Sequence, residues 1–315
     1  MQKEEFYFDS RDNHTKIHAI RWTPDGDNVV GVVQIVHGMA EYVERYEEFA
    51  TFLTEHHFVV TGEDHLGHGG SVSEDGMKGY FCEQDPATVV VRDVHRLKKM
   101  TQELYPGVPY FIIGHSMGSF MTRDYLCRYG SGIDGAVIAG TGMLPETVLL
   151  LSKPVTWLQG IFKGQKHISQ YIDKRAFGSY NKSILNPRTP ADWLTSDEKK
   201  VDEYIADPNC GFTFTVNGFK TLFTLISRTQ KKKNVKNIPK ELPVLMISGE
   251  ADPVGDYGKG VRKAYSFLQG VGLQNLQLKL YPEDRHELLN ERNRQQVMED
   301  IMEWLTKHLV IPTTI

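Results

Sequence analysis

Short apolar segments alternate with longer amphipathic segments along most of the chain. The short segments are rich in β-branched and aromatic residues, which is typical of strands, and those after the first two are expected to be covered on both faces. They are Glu5–Asp9, Lys16–Thr23, Val29–Val36, Phe58–Gly62, Tyr110–Gly114, Gly135–Gly140, Val244–Gly249 and Leu276–Tyr281. The first two flank a polar turn and predict a hairpin. The pattern therefore predicts an α/β protein with a mostly parallel, eight-stranded sheet.

The longer segments have the period of helices. They are Tyr46–Glu55, Pro86–Leu104, Met117–Tyr129, Tyr257–Leu268 and Arg294–Leu309. In the last one, Val297, Ile301 and Trp304 recur at spacings of three and four, which places them on one apolar face. Alternation of strands and helices predicts right-handed crossovers with helices on both faces of the sheet.

The alternation stops between about Met143 and Pro239. This stretch has no strand-like run, yet it is rich in aromatic, Met and Leu residues. Because structureless loops of this length are uncommon, we predict a helical cap inserted after the sixth strand. The chain then divides into a first core part at 1–142, the cap at 143–239 and a second core part at 240–315.

Two parts of the cap have alternative interpretations. Val148–Phe162 is apolar and indicates either a helix packed on the core or a surface that faces an acyl chain or a lipid surface. Pro154 would kink a helix through this segment. The basic run Lys231–Lys233 is most simply a solvated return from the cap, and a transient contact with an anionic membrane is the alternative.

Composition limits the classes of partner. The chain has 315 residues, with 40% hydrophobic and 24% charged, as in ordinary globular proteins. A formal net charge of −4 gives no reason to expect nucleic-acid binding. We find no apolar segment typical of a signal peptide or a membrane span, so we expect a cytoplasmic, soluble protein. No feature bears on the oligomeric state.

Neither a metal nor a cofactor is expected. Cys82, Cys127 and Cys210 lie far apart and form no CxxC pair, which argues against a zinc site or a disulfide framework. The segment Asp64–Ser71 contains two histidines, but no further clustered ligands accompany them. Its glycines also lack the ending of a phosphate-binding loop. We expect this segment to support the functional site from behind.

The pentapeptide Gly114-His115-Ser116-Met117-Gly118 matches the pattern G-x-S-x-G. A predicted strand leads into it and a predicted helix follows, which is the context of a nucleophile elbow. The tight corner projects the serine hydroxyl from the sheet, and the helix N-terminus favours developing negative charge. We predict that Ser116 is the nucleophile of a serine hydrolase with an α/β-hydrolase fold.

A serine nucleophile needs a base and an orienting acid, which follow it in that fold in the order acid, then histidine. His286 lies in the loop just beyond the last predicted strand, whereas His308 lies on the apolar side of the terminal helix. The loop after the seventh strand offers Glu250, Asp252 and Asp256. We favour Asp252 with His286, because both then leave carboxyl ends of neighbouring strands.

Acyl transfer also needs donors for the oxyanion of the tetrahedral intermediate. The residue after the nucleophile, Met117, supplies one backbone N–H. The second normally comes from the loop after the third strand, His37-Gly38-Met39-Ala40-Glu41, so Met39 is the candidate. His37 is predicted to have a structural role.

Taken together, the motifs resemble the monoacylglycerol lipase and lysophospholipase branch of the α/β-hydrolases. The resemblance covers most of the chain. It rests on His37-Gly38 with Glu41, Arg45-Tyr46, Asp64-His65-Leu66-Gly67-His68-Gly69, Arg92-Asp93-Val94, Gly114–Gly118, Val201-Asp202-Glu203-Tyr204 and Asp207-Pro208.

This resemblance implies a triad of Ser116, Asp252 and His286. It also implies that Met39 and Met117 are the oxyanion donors, and that Glu41 and Arg45 form a polar pair near the site. With these two, His115 is a candidate for the substrate pocket. The family's cap is helical and lines a tunnel for an acyl chain, with a polar end for glycerol.

This chain departs from the family at several positions. Ala40 and Ser119 stand where glycines are common. The front of the cap, residues 144–183, is its least similar part.

The leading hypothesis is a cofactor-free serine esterase for monoacylglycerols or similar single-chain esters. One alternative keeps the triad but acts on short aryl esters. Another is an aminopeptidase, for which Glu41, Glu250 and Glu283 could form an acidic cluster around a free amine. A remote alternative is a non-catalytic ligand receptor.

Overall fold

Eight strands form one sheet in the order β1-β2-β4-β3-β5-β6-β7-β8. They are β1 (Gln2–Asp9), β2 (Lys16–Thr23), β3 (Gly31–Val36), β4 (Phe58–Glu63), β5 (Tyr110–His115), β6 (Gly135–Ala139), β7 (Val244–Gly249) and β8 (Leu276–Tyr281). The computed structural model describes residues 1–26, 28–73 and 76–309. The pairs β1–β2 and β2–β4 are antiparallel and the other five are parallel. This confirms the predicted mostly parallel sheet and its hairpin.

Ten α-helices are found in the described part of the chain. They are α1 (Glu47–Glu55), α2 (Pro86–Leu104), α3 (Met117–Tyr129), α4 (Glu146–Lys163), α5 (Gln170–Phe177), α6 (Glu198–Ala206), α7 (Val216–Thr229), α8 (Lys232–Val235), α9 (Lys259–Gly270) and α10 (Arg294–Lys307). The sequence places the start of α9 at Tyr257, two residues too early. Asp256 and Tyr257 have φ values of 49° and 53°, in the left-handed region that a right-handed helix excludes.

The sheet is covered on both faces, as the apolar strand pattern predicts. Along β3, Val33 and Ile35 pack on one side with α1 and α10, while Val32 and Val36 pack on the other with α2 and α3. All six residues of β3 are buried. Because successive side chains of a strand point to opposite faces, a strand buried on both faces reads as a continuous apolar run.

Helices α4 to α8 lie between β6 and β7, where the sequence predicts a helical insertion. All of residues 143–239 are described, and an isolated bridge between Ile168 and Thr215 is their only β-pairing. The boundaries at 142/143 and 239/240 stay predictions. Helix α4 continues through Pro154.

Much of the apolar surface of α4 faces outward. Leu149 is buried, whereas Leu151, Trp157 and Phe162 are 66%, 62% and 80% exposed. Only a narrow stripe of this helix is therefore buried against the rest of the protein. Within 1–26, 28–73 and 76–309, every helix is too short or too polar to cross a bilayer.

Candidate active site

Ser116 occupies a strained corner between β5 and α3. Its φ and ψ are 52° and −119°, a conformation that non-glycine residues rarely adopt. The backbone N–H of Ser116 donates to the carbonyl oxygen of Ala139 at 3.0 Å. The carbonyl oxygen of Ser116 accepts from the backbone N–H and the hydroxyl of Ser119, at 2.9 and 2.6 Å. These bonds hold the corner, as strain at a functional site requires.

The two glycines of the pentapeptide are required by close packing. A Cβ on Gly118 would lie 1.9 Å from the carbonyl oxygen of Val36, and one on Gly114 would lie 2.2 Å from Oγ1 of Thr122. No side chain fits at such distances. The pentapeptide therefore has the geometry of a nucleophile elbow.

Asp252 and His286 form a buried pair. Oδ2 of Asp252 lies 2.9 Å from Nδ1 of His286, and its Oδ1 accepts from the backbone N–H of Val254 at 2.8 Å. Because Nδ1 faces a carboxylate, it carries the proton and leaves Nε2 with a lone pair. Nε2 is buried and makes no hydrogen bond to any residue in the described ranges.

The alternative acids lie elsewhere. Glu250 accepts from Arg262 at 3.0 Å in an exposed ion pair. Asp256 is part of the turn before α9, where its carbonyl oxygen accepts from the backbone N–H of Lys259. Neither carboxylate bonds to His286, whereas Asp252 does.

The end of β6 brings the serine and the histidine together. Ala139 accepts the N–H of Ser116, and the next residue, Gly140, lies against His286. A Cβ on Gly140 would be 3.0 Å from Cε1 of His286 and 3.2 Å from Cδ2 of His115. The site thus lies at the carboxyl ends of neighbouring parallel strands, where ligand sites of α/β sheets occur.

The predicted oxyanion loop passes directly beside the nucleophile. A Cβ on Gly38 would lie 3.1 Å from the Cβ of Ser116. Met39 follows and is partly buried, and Met117 is the first residue of α3, whose N–H has no partner within the helix. Both methionines thus belong to the segments that flank Ser116, and their role as donors stays a prediction.

Ala40, which stands where the family commonly has glycine, adopts a left-handed conformation with φ 53°. Two groups from the inserted segment hold it there. Its carbonyl oxygen accepts from the backbone N–H of Gly211 at 3.0 Å and from the hydroxyl of Tyr204 at 3.2 Å. The insertion therefore shapes the loop beside the nucleophile.

Glu41 and Arg45, predicted as a polar pair, belong to a buried ionic network. Arg45 bonds Glu41 at 2.5 Å and forms two bonds to Glu287, at 3.0 and 2.8 Å. Oε1 of Glu41 also accepts the backbone N–H of Gly38 and the hydroxyl of Tyr46. Nearly every oxygen lone pair that Glu41 could offer a ligand is thus occupied by protein groups.

The charges in this network support one another. Burial alone would raise the pKa of Glu41, but the hydrogen bond from His115 and the charge of Arg45 hold it below its usual range. For Glu287, burial is likewise outweighed by Arg45, so its pKa is also lowered. Burial would lower the pKa of Arg45, yet the two carboxylates raise it. Both carboxylates and the guanidinium are therefore charged at neutral pH.

His115, predicted for the substrate pocket, is buried between this network and the base. Its Nε2 lies 3.2 Å from the carbonyl oxygen of His286, and its Nδ1 lies 3.2 Å from Glu41. Both ring nitrogens face acceptors, which favours the protonated ring. Although burial opposes this charge, Glu41 raises the pKa of His115.

The histidines of the segment Asp64–Ser71 lie behind the oxyanion loop. The ring of His65 stacks on that of His37 at 3.9 Å, and its backbone N–H donates to Nε2 of His37 at 3.0 Å. Burial lowers the pKa of both His65 and His68 to about 4, so these rings are neutral. Asp64 accepts from His18 at 2.8 Å.

Two further residues of the site are not predicted from the sequence. Glu287 gains its partner Arg45 only through the fold, and Trp193 of the insertion lies with its ring centre 5.1 Å from that of His286. Glu287 directly follows the predicted base, which is the one hint that the sequence offers. Trp193 belongs to an irregular segment without periodicity.

The sheet order, the strained serine corner and the buried acid–histidine pair define an α/β-hydrolase. The family model Hydrolase_4, "Serine aminopeptidase, S33", matches residues 27–293, and the chain belongs to this family. The chain is therefore a hydrolase.

Similar proteins include lipases and esterases. The monoacylglycerol lipase of Mycolicibacterium smegmatis is 25% identical over 91% of this chain and 92% of its own length. The human monoglyceride lipase is 27% identical over 91% of this chain and 85% of its own. The structure of a thermostable carboxyl esterase from Bacillus coagulans, in complex with glycerol, has a TM-score of 0.91 and 31% identity, and covers 98% of this chain and 100% of its own. This chain is a hydrolase of the lipase and esterase kind.

Proposed function

We propose that the protein hydrolyses monoacylglycerols or similar single-chain esters through an acyl-enzyme on Ser116. One observation carries the proposal: the strained serine lies at the same edge of the sheet as His286. Nδ1 of that histidine is held by Asp252, and its Nε2 has no hydrogen-bond partner among the described residues. A buried polar atom without a partner requires an explanation, and proton transfer supplies one.

In the first half-reaction, Nε2 of His286 takes the proton of Ser116 as Oγ attacks the acyl carbonyl. The oxyanion accepts hydrogen bonds from the N–H groups of Met39 and Met117. His286 then returns the proton to the leaving alcohol, and the acyl group stays on Ser116. Asp252 orients the imidazole and stabilises its protonated form without taking the proton.

In the second half-reaction, water replaces the alcohol. His286 removes one proton from the water as the oxygen attacks the acyl-enzyme. The proton then returns to Oγ of Ser116, and a fatty acid leaves. No cofactor is needed for either half.

The substrate class is supported by the relatives and by the site's carboxylates. Proteins similar to this chain include monoacylglycerol and monoglyceride lipases. An aminopeptidase would need free carboxylates for the amine. Glu41 is occupied by Arg45 and Glu250 is paired with Arg262, so neither is free to bind an amine; Glu283 is exposed to water, which weakens an ion pair with an amine. These positions favour an ester over an aminoacyl substrate.

The exposed side of α4 supports a transient contact with a lipid surface. Leu151, Trp157 and Phe162 are exposed there, and Lys153 and Lys163 lie on the same helix. Apolar residues flanked by lysines are typical of helices that lie at a membrane surface. Such contact would bring the site to its insoluble substrate.

Labelling with a fluorophosphonate tests the nucleophile. We expect wild type and Ser266→Ala, which changes an exposed serine on α9, to label, and Ser116→Ala to remain unlabelled. Labelling of Ser116→Ala would overturn the assignment.

A panel of substrates tests the class. Monoacylglycerols of increasing chain length, nitrophenyl acetate and aminoacyl amides are compared by kcat/KM. We expect long-chain monoacylglycerols to be preferred. A preference for acetyl esters, or for an aminoacyl amide, would contradict the proposal.

Vesicle cosedimentation tests the membrane contact. Phe162→Ser should weaken binding to phosphatidylglycerol vesicles, whereas Leu104→Ser, which removes a 55% exposed leucine at the end of α2, should not. Equal binding of the two variants would count against this surface.

A further inference from the structure

Trp193, from the inserted segment, lies against the imidazole of His286. The ring centres are 5.1 Å apart and the ring planes are inclined by 39°. Trp193 is partly buried, in the short 3₁₀ turn Asp192–Leu194, and belongs to no strand or α-helix. Its position therefore depends on contacts outside regular secondary structure.

Hydrogen bonds on both sides hold the two rings next to each other. The residues that flank Trp193 bond to the residues that flank His286. Arg285 donates from Nη1 to the carbonyl oxygen of Asp192 at 2.6 Å, and the backbone N–H of Glu287 donates to the carbonyl oxygen of Leu194 at 2.7 Å. One side-chain bond and one backbone bond thus hold the tryptophan and the histidine opposite each other.

Further bonds join the same two segments. The hydroxyl of Thr195 donates to the carbonyl oxygen of Asn290 at 2.9 Å, and the buried carboxylate of Glu291 accepts the backbone N–H of Ser196 at 3.0 Å. Tyr180 packs its ring against Trp193 at 4.9 Å, inclined by 75°. Trp193 is therefore held from two sides.

We propose that Trp193 is a positioning residue that stabilises the protonated imidazole of His286 through its aromatic face. This rests on the proposed function, in which His286 becomes charged in the transition state. A cation over the face of a tryptophan, within about 6 Å of the ring centre, is attracted by that negative face. A centre-to-centre distance of 5.1 Å at an inclination of 39° is within this range and is not an edge-on contact. The insertion would then contribute to the chemistry as well as to substrate binding.

Other groups also face His286 and must be unchanged in the test. Asp252 bonds its Nδ1, and the ring of His115 lies 4.7 Å away. Arg285 and Glu287 flank it in the chain, and their side chains bond to Asp192 and Arg45. The substitution of Trp193 leaves all of these charges in place.

The test is the pH profile of kcat/KM for a soluble nitrophenyl ester. Trp193→Leu keeps apolar bulk but removes the aromatic face. We expect the plateau to fall about three- to tenfold, because the imidazolium of the transition state is less stable. For the same reason the midpoint of the acid limb should move to lower pH, by about 0.5 to 1 unit.

The matched control is Tyr7→Leu. Tyr7 makes a comparable aromatic contact with His18, with ring centres 5.2 Å apart, away from the site. It should leave both the plateau and the acid limb unchanged. A fluorinated tryptophan series placed at position 193 alone gives a second test that keeps the ring's size. The acid limb should move further down in pH with each added fluorine, because fluorine weakens the negative face.

The outcomes separate this proposal from the proposed function. A lower plateau with an unmoved acid limb in Trp193→Leu, or a fluorine series with no trend, would overturn the role of Trp193. An unchanged plateau would overturn it as well. Hydrolysis by Ser116→Ala at the wild-type rate would instead overturn the assignment of Ser116 as the nucleophile, independently of the result for Trp193.

Discussion

The hydroxyl of Tyr204 donates a hydrogen bond to the carbonyl oxygen of Ala40, at 3.2 Å. Tyr204 belongs to α6 in the insertion, and Ala40 belongs to the loop beside Ser116. The residue that follows the predicted oxyanion donor is therefore held by a group far away in the chain.

Tyr204→Phe should lower kcat several-fold with little change in KM for a small ester. Without the hydroxyl, the carbonyl oxygen of Ala40 keeps only its bond from Gly211, so the loop that carries Met39 is less well held. One lost hydrogen bond also costs about 1 kcal/mol of stability. Tyr265→Phe removes a similar bond to a carbonyl oxygen, that of Leu276, outside the site. It should lose stability but not kcat, and an equal loss of kcat in both would refute the link to Ala40.

Ala40→Gly should raise the melting temperature. A left-handed alanine costs about 1–2 kcal/mol, and glycine removes that cost while adding somewhat less in backbone entropy. We expect a net gain below about 1 kcal/mol, read by calorimetry. Ala50→Gly, in the interior of α1, should instead lose about 1 kcal/mol. A loss in Ala40→Gly would mean that its strain is smaller than its φ indicates.

Asp252→Asn should lower kcat by about 10³- to 10⁴-fold while the protein stays folded. The amide can donate to Nδ1 of His286, which selects the wrong tautomer and leaves the proton on Nε2. Glu250→Gln changes an exposed carboxylate that pairs with Arg262 and should leave kcat within about twofold. Initial rates measured with a nitrophenyl ester give kcat for both variants. A larger loss in Glu250→Gln than in Asp252→Asn would reverse the assignment of the acid.

The stability of the protein should fall as pH rises from about 4 to about 8, in part through Asp93. Burial and the nearby Glu63 raise the pKa of Asp93 to about 8, so the folded state holds a proton that the unfolded state has released. This stability is complete below the ordinary aspartate pKa and is lost as pH rises through the raised one. Asp93→Asn should flatten that slope and raise the melting temperature at pH 8 by several degrees.

Asn can keep the contacts of Asp93 with Ser10 and the backbone of Arg11, which makes it a fair mimic of the protonated acid. Asp9→Asn, which alters an exposed carboxylate in β1, is the control and should keep the wild-type slope. A slope that survives in Asp93→Asn would assign it to Glu63 or to another buried acid.

Local patterns in the sequence predict the regular elements well, because the apolar residues of each strand and helix recur with the period of that element. The helices α2 and α3 begin and end at the predicted residues. The serine corner is also local: two glycines, a strand before and a helix after. The sequence places the start of α1 one residue and the start of α9 two residues too early, because 3₁₀ or left-handed backbone precedes each helix and leaves no periodic signal.

By itself, the sequence determined the strands, the mostly parallel pairing of the sheet and the residues that could carry acyl transfer. Only the tertiary structure decided which carboxylate bonds His286, which carboxylates Arg45 occupies, and that Trp193 lies against the histidine ring. The physical reason is the distance along the chain over which each kind of interaction acts. Periodicity and turn chemistry act over a few neighbours, whereas these contacts join irregular segments from distant parts of the chain.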